Sequence, residues 1–248
     1  MLLVVTTSNR SKGTDSPTKM SSSCVCQHCS CAEHSTVTQV SLHELGLVSG
    51  TDKAGFHGFL RFYDRLLMSK RHSATNMLEI GINTGASLLM WRDYFTQATI
   101  YGLDINVCSH MHGENRIVTA VADQNQPMKL AGTVQDWNVQ FDFIIDDGGH
   151  TVIQQYNTIY VLWSLLKPGG VYVIEDLHTN IRALHFIHEH MSGHDGGYID
   201  ASPTVHERIL NVMSGSPGQF PFIDEVAEIN YFCNPTTKSL TCAFIKKM

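Results

Sequence analysis

Apolar positions are unevenly distributed along the chain. Phe56, Phe59, Leu60, Tyr63, Leu66 and Leu67 recur at three- and four-residue spacing, which predicts a one-faced helix. Short apolar runs then follow one another. Met77-Leu78-Glu79-Ile80-Gly81 predicts a buried strand, 81–85 a turn and 86–95 a helix. Thr99-Ile100-Tyr101-Gly102-Leu103 predicts a second strand ending at Asp104, 117–121 a third, and Phe141-Asp142-Phe143-Ile144-Ile145 a fourth. A long helix over 152–166 is expected to close at Lys167-Pro168-Gly169-Gly170, before a fifth strand, Val171-Tyr172-Val173-Ile174. Residues 225–232 and 239–245 predict two further strands joined through Asn234-Pro235-Thr236-Thr237.

Continuously apolar strands alternating with helices imply a parallel sheet covered on both faces. The last two strands form a hairpin and place one antiparallel strand in that sheet. The predicted fold is therefore α/β: a Rossmann-like, mostly parallel seven-stranded sheet with a C-terminal antiparallel hairpin and helices on both faces. This is the architecture of the class I methyltransferases, and by itself it does not assign a function.

Composition separates the N-terminal segment from the rest. All 22 Phe, Trp and Tyr lie after residue 55, whereas residues 1–40 hold 14 Ser and Thr. Such a segment cannot offset the entropy of ordering, so residues 1–40 are expected to be a disordered Ser/Thr/Cys-rich tail and 41–248 one folded domain. Met1-Leu2-Leu3-Val4-Val5 is too short for the apolar core of a signal peptide, which needs about 7–15 residues. Four of the seven Cys stand in the tail as Cys24, Cys26, Cys29 and Cys31, too crowded for the two separated pairs that usually wrap zinc. A reactive, flexible tail is the simpler expectation, with soft-metal binding as the alternative. Deleting residues 1–35 is then expected to leave activity and the melting temperature unchanged; a loss of several degrees in a thermal melt would mean that the tail is structural. Cys108, Cys233 and Cys242 are expected to be reduced core thiols, and the compartment the cytosol.

The net charge of −6 and the absence of a basic stripe argue against nucleic acid and against polyanionic ligands. No apolar run approaches the roughly 18 residues of a membrane span. The expected partner is a small-molecule or glycan acceptor, with a homo-oligomer left open.

Ligands of open α/β sheets bind beyond the carboxyl ends of the strands. The five predicted parallel strands are followed there by Glu79-Ile80-Gly81 through Ser87, by Asp104, by Asp123-Gln124, by Asp146-Asp147-Gly148-Gly149-His150, and by Glu175-Asp176. Every one of these segments bears an acid, although only 16% of the chain is charged. The E-x-G-x-x-x-G turn lacks the glycine pattern and the lysine of phosphate-binding loops. An acid there repels a pyrophosphate and suits a ligand with a cationic end, such as S-adenosylmethionine. Asp104 is placed to accept from ribose hydroxyls, and Asp123-Gln124 to meet the adenine amino group.

Neighbouring strand ends lie about 4.8 Å apart, which brings Asp147 beside Glu175 and Asp176. Three carboxylates without a basic partner repel one another in a dry cleft, and a hard divalent cation, magnesium or another, resolves the conflict. His150 follows Asp147 by three residues across two glycines and is the candidate general base for a hydroxyl held at the metal. The plain alternative is that these acids cap helices and that His150 is a surface residue. His178 is expected to touch substrate or to orient a carboxylate. His185, His188, His190, His194 and His206 are expected to be solvated or to face the acceptor.

Gly50-Thr51-Asp52-Lys53, His57, Tyr63-Asp64, LEIG, MWRDYF, IYGLDI, ENRI, ADQ, IDDGGH, LKPGG and VYVIEDLHT occur in one order over about residues 50–179. Together they resemble the magnesium-dependent macrolide-sugar O-methyltransferases of the mycinamicin and tylosin deoxysugar type. The resemblance implies that Asp147, Glu175 and Asp176 hold the metal, that His150 is the base, and that Glu79, Gly81, Asp104 and Asp123 line the S-adenosylmethionine pocket. Lys53, Ser87, Gln124 and Asp146 complete the expected cofactor-binding set. Gly149 departs from the serine usual there. Residues 1–49 are too few and too polar for the auxiliary domain of some members, and 181–222 match nothing in the family and are expected to form the acceptor lid. The implied reaction methylates a sugar hydroxyl of a glycan, glycolipid or glycosylated natural product, with the acceptor diol on the metal. Alternatives are a catechol or phenol O-methyltransferase and a non-catalytic cofactor-binding module.

Overall fold

The expected strands assemble because their apolar side chains alternate between two cores. Met77, Ile100, Phe143, Ile145 and Val173 pack on one face of the sheet, and Leu78, Ile80, Ile144, Tyr172 and Ile174 on the other. These positions come from a computed structural model that describes residues 39–107, 111–177, 197–199, 222–234, 237 and 239–248. The N-terminal tail, Cys108, His178 and the five histidines from His185 to His206 lie outside the described residues, as does the Cys233 side chain.

Strands β1 (Asn76–Ile80), β2 (Thr99–Asp104), β3 (Ile117–Val121), β4 (Phe141–Asp146) and β5 (Leu166–Ile174) run parallel. A three-residue strand β6 (Gly197–Ile199) precedes the predicted hairpin of β7 (Val226–Asn234) and β8 (Ser239–Lys246). The sheet order is β3-β2-β1-β4-β5-β8-β7-β6, with β8 antiparallel to β5. All seven expected strands are present, and β6 adds an eighth, antiparallel to β7.

Helix boundaries moved more than strands. The first predicted helix begins only at Leu60, as α2 (Leu60–Leu67), because Gly58 with φ +67° turns the chain just before it. Phe56 therefore lies off the helix and is exposed. Ahead of it stands an unpredicted α1 (Leu42–Ser49), started by a Ser41–Glu44 capping box and stopped at Gly50 in the left-handed conformation. Helix α3 (Ala86–Tyr94) follows the glycine turn, and α4 (Pro127–Gln135), also unpredicted, opens on a proline at its first turn. Helix α5 (Val152–Leu162) is shorter than expected and gives way to a 3₁₀ turn, Trp163–Leu165. Lys167–Gly170 are not a turn before β5 but an irregularity within it. Phe141 pairs with Leu166 and Phe143 with Val171, while Lys167 Nζ donates to Asp142 Oδ2 at 2.8 Å.

The register levels the carboxyl ends. Ile80 stands beside Asp146, and Asp146 beside Ile174. Backbone bonds extend the ladders one step further: Asp147 N donates to Ile80 O and Glu175 N to Asp146 O, each at 2.9 Å. The order reverses between β1 and β4, and this is where ligands of such sheets bind. Gln39–Met248 forms one compact unit. No described helix is long and apolar enough to cross a membrane. Cys242 is a buried free thiol, as expected.

Candidate active site

A cavity of about 510 Å³ opens over the carboxyl ends of β1 to β4. Gly81, Ser87, Asp104, Asp123 and Gln124 line it, as do Asp147, His150 and Asp176. Lys53, from the turn-rich segment before α2, reaches in as well.

Gly81 is obligatory. Its φ is +90°, and a Cβ there would stand 2.0 Å from the Asp147 carbonyl oxygen, so only glycine lets the β4 loop pass over β1. Asp104 holds the turn from below: its Oδ2 accepts from the Ile82 and Asn83 amides at 2.8 and 3.3 Å, and its Oδ1 from the Asn106 amide at 2.9 Å. Partial burial disfavours its charge, but these amide donors outweigh it and keep the carboxylate below its ordinary pKa. With the Asn106 side chain as a further donor, the roughly four acceptor positions of this carboxylate are taken up in holding the turn and the start of the next loop. Asp123 lies at the rim, and bonds from Gln126 and Asn125 keep it ionised.

Gln124 behaves differently from the sequence expectation. Its amide nitrogen donates to Asp146 Oδ1 and Thr158 Oγ1, both at 2.8 Å, and its oxygen accepts from the Gly149 amide at 2.7 Å. The side chain clamps the glycine loop carrying His150, and both amide hydrogens are committed there. Asp146 does not line the cavity; it lies beneath it, fully buried, against Gln124, Thr158 and Tyr172. Burial raises its pKa from 3.8 to about 7. The folded chain therefore keeps a proton that the unfolded chain has lost, and stability declines as pH rises from about 4 through 7. Asp146→Asn is expected to remove the Asp146 share of this dependence, leaving that of Glu79, and at pH 8 to gain about 2–4 kcal/mol, at ~1.4 kcal/mol per pKa unit. Thermal melts across pH 5–8 test it, and a parent that is equally stable throughout that range counts against the assignment.

The acids beyond β4 and β5 are not left to repel one another. Lys53 is buried, and its Nζ stands 2.5 Å from Asp147 Oδ2, 3.0 Å from Glu175 Oε2 and 3.4 Å from Glu79 Oε1. The expectation of carboxylates without a basic partner is corrected by this contact: the partner comes from 94 residues upstream. Burial alone pulls the Lys53 pKa down, but Asp147, Glu175 and Glu79 prevail and hold the ammonium well above its usual range. Glu79, sealed under the cavity and absent from its lining, has its pKa raised to about 7 by burial despite Lys53. Glu175 is likewise pushed up by burial and by Asp147, and its other oxygen accepts from the Tyr63 hydroxyl.

Asp147, His150 and Asp176 converge with ligand atoms within 4.8 Å of one another. His150 Nε2 lies 3.8 Å from Asp176 Oδ2 and 4.0 Å from Asp147 Oδ1. His150 and Asp176 both adopt positive φ, +58° and +53°, a conformation that costs non-glycine residues energy and clusters at functional sites. Asp176 also faces His57 Nδ1 at 3.8 Å, and that nitrogen lies 2.7 Å from Ser239 Oγ. His57 and Tyr63 received no role from the sequence: they precede the first strand, and no local spacing ties them to the acids. The structure thus brings Asp147, Asp176 and His150 together and turns the Glu175 carboxylate toward Lys53 and Tyr63.

An open sheet of this order, with a glycine turn after β1 and an acid after β2, is the class I, Rossmann-like methyltransferase fold. The MycE methyltransferase of the mycinamycin pathway, solved with Mg, SAH and mycinamycin VI, superposes with a TM-score of 0.65 at 28% identity, covering 85% of this chain and 55% of that one. No protein-family profile matches the chain. Among curated proteins it is 40% identical over 152 residues to demethylmacrocin O-methyltransferase of Streptomyces fradiae, covering 58% of this chain and 38% of that protein. It is 38% identical over 146 residues to mycinamicin VI 2''-O-methyltransferase of Micromonospora griseorubida, covering 56% and 36%. The resemblance to macrolide-sugar O-methyltransferases drawn from the motifs is therefore found both in sequence comparison, over 56–58% of the chain, and in structural comparison. The match spans well under half the length of those curated relatives.

Proposed function

We propose that this chain is an S-adenosylmethionine-dependent O-methyltransferase that methylates a hydroxyl on a sugar of a glycosylated small molecule, with a divalent cation at the β4–β5 end of the cavity. The observation that carries this reading is that the Asp147–His150–Asp176 cluster lines the same cavity as Gly81, Asp104 and Asp123. The relatives' names, sugar O-methyltransferases of antibiotic pathways, support the acceptor class.

The residues fit both groups. Gly81, which lets the β4 loop close over β1, and the ionised Asp104, which borders the cavity, suit a nucleoside with a cationic end and no phosphate. Carboxylate oxygens of Asp147 and Asp176, half-buried and aimed at one point, are hard donors of the kind magnesium takes, and Glu175 is one residue away. When bound, the cation supplies a Lewis acid that lowers the pKa of an acceptor hydroxyl, and the cofactor supplies the methyl group. His150, beside those carboxylates and exposed to the cavity, is the group placed to remove the hydroxyl proton. The Gln124 clamp on Gly149 holds the imidazole at that place, and Asp147 and Asp176 stabilise the imidazolium that results.

Titration calorimetry of the full chain with S-adenosylmethionine, with and without magnesium, together with transfer assays on deoxysugar glycosides and catechols, tests the reading. Transfer to sugars supports it, and transfer to catechols alone replaces it by the phenolic reading. Binding without transfer to either leaves a non-catalytic module.

A further inference from the structure

Lys53 does more than neutralise a buried charge. Only 1% of it is exposed, and its ammonium sits 2.5 Å from Asp147 Oδ2 and 3.0 Å from Glu175 Oε2. These belong to two of the three carboxylates that the family resemblance implies as metal ligands. Magnesium holds its oxygens at about 2.0–2.1 Å, so a cation bound through Asp147 Oδ2 and Glu175 Oε2 falls within the space this ammonium fills, whereas one held only on the Asp147 Oδ1 side with Asp176 leaves the ammonium in place. Two cations do not share one pair of oxygens at such distances. The charge also favours exchange: Glu79, Asp147 and Glu175 surround a single ammonium, and Asp176 adds a fourth acid nearby.

The local chain permits the movement. Lys53 belongs neither to α1 nor to α2, and its backbone is anchored independently of its head group, with the Phe59 amide donating to the Lys53 carbonyl at 3.0 Å. The side chain borders the cavity, so a rotation of its flexible four-carbon stem leads into open space. Tyr63 keeps its bond to the other Glu175 oxygen and holds that side chain in place throughout.

We infer that the Lys53 ammonium and the divalent cation compete for the same oxygens of Asp147 and Glu175, so that metal binding turns Lys53 out of the acid cluster into the cavity. Lys53 is thereby a positioning residue: it keeps the acids gathered until the metal replaces it. The inference rests on the metal centre proposed above but not on the identity of the acceptor.

The direct test is amine labelling of the intact wild-type chain with acetic anhydride, read by mass spectrometry, with exposed Lys129 as internal reference. Lys53 is expected to be protected in chelator and to become at least about fivefold more reactive in saturating Mg²⁺ or Mn²⁺, as an amine does when it leaves a buried ion pair for an open cavity. Unchanged or deeper protection in bound metal overturns the inference. Calorimetry of Lys53→Met supplies a second measurement: loss of the competing charge tightens Mn²⁺ binding roughly ten- to hundredfold, whereas equal or weaker binding overturns it. If the variant does not fold, the labelling decides alone. If the wild-type chain binds neither metal, the metal centre fails and this inference with it; metal binding without a change at Lys53 sinks only the inference.

Discussion

Removing divalent metal, or replacing Asp147 by alanine, is expected to take methyl transfer below detection while cofactor binding changes little. Asp147 carries three tasks at once. Its Oδ1 faces His150, its Oδ2 meets Lys53, and its carbonyl packs against Gly81. Alanine retains the last of these, because the backbone stays, and loses the first two. Lys53 keeps Glu175 and Glu79 as partners, so the fold does not face an unpaired buried cation. The glycine turn and Asp104 sit at the ends of β1 and β2, and their hydrogen bonds do not pass through the Asp147 side chain. Binding of S-adenosylhomocysteine to Asp147→Ala, or to the parent in chelator, is therefore expected within a few fold of the untreated parent. Turnover that survives chelation would show that the metal assignment is wrong.

His150→Ala is expected to lower the transfer rate by ~10²–10⁴-fold, the usual worth of a positioned general base. Cofactor affinity again changes little, because the imidazole stands beside Asp147 and Asp176. The competing view is that His150 only orients Asp147 and Asp176, both within 4.0 Å of its Nε2, while water removes the proton. His150→Gln separates the two, since an amide can orient but cannot act as a base. A glutamine variant within a few fold of the parent, with the same pH profile, decides for orientation.

Much of this site was legible before any coordinates. The parallel strands are runs of apolar residues, buried on both faces except at the edge strand β3, where Val118 and Val121 are exposed, and the pattern depends only on which side chains water rejects. The acids following them stood out because charge is scarce in this chain. Asp104 and Asp123 were placed correctly at the cavity for the same reason: the end of a strand is a position along the sequence. Helices α1 and α4 were not seen. Only Leu42 and Gly46 of α1 are buried, and in α4 only Leu130 and Val134, too few for a periodicity to register. Conversely, Phe56 matched the helical spacing of α2 and lies outside it, since Gly58 breaks the chain locally whatever the spacing.

Chemistry that depends on distant partners was out of reach of the sequence. Gln124 and Asp146 followed strands three and four like their neighbours, yet one is turned to clamp the glycine loop and the other is sealed beneath the cavity. The side on which a residue at a strand end faces is set by packing against α5, which no spacing encodes. Lys53 shows this most plainly. The chain by itself determined that acids gather at the carboxyl edge of a parallel sheet, because strand order and burial follow from patterns a few residues long. Which acids are compensated, and by what, was decided only when residues 53 and 63 came to lie against residues 147 and 175. The reason is physical: the hydrophobic pattern acts locally and repeatedly, whereas a buried ion pair is a single long-range coincidence whose energy depends on a few ångströms of tertiary geometry.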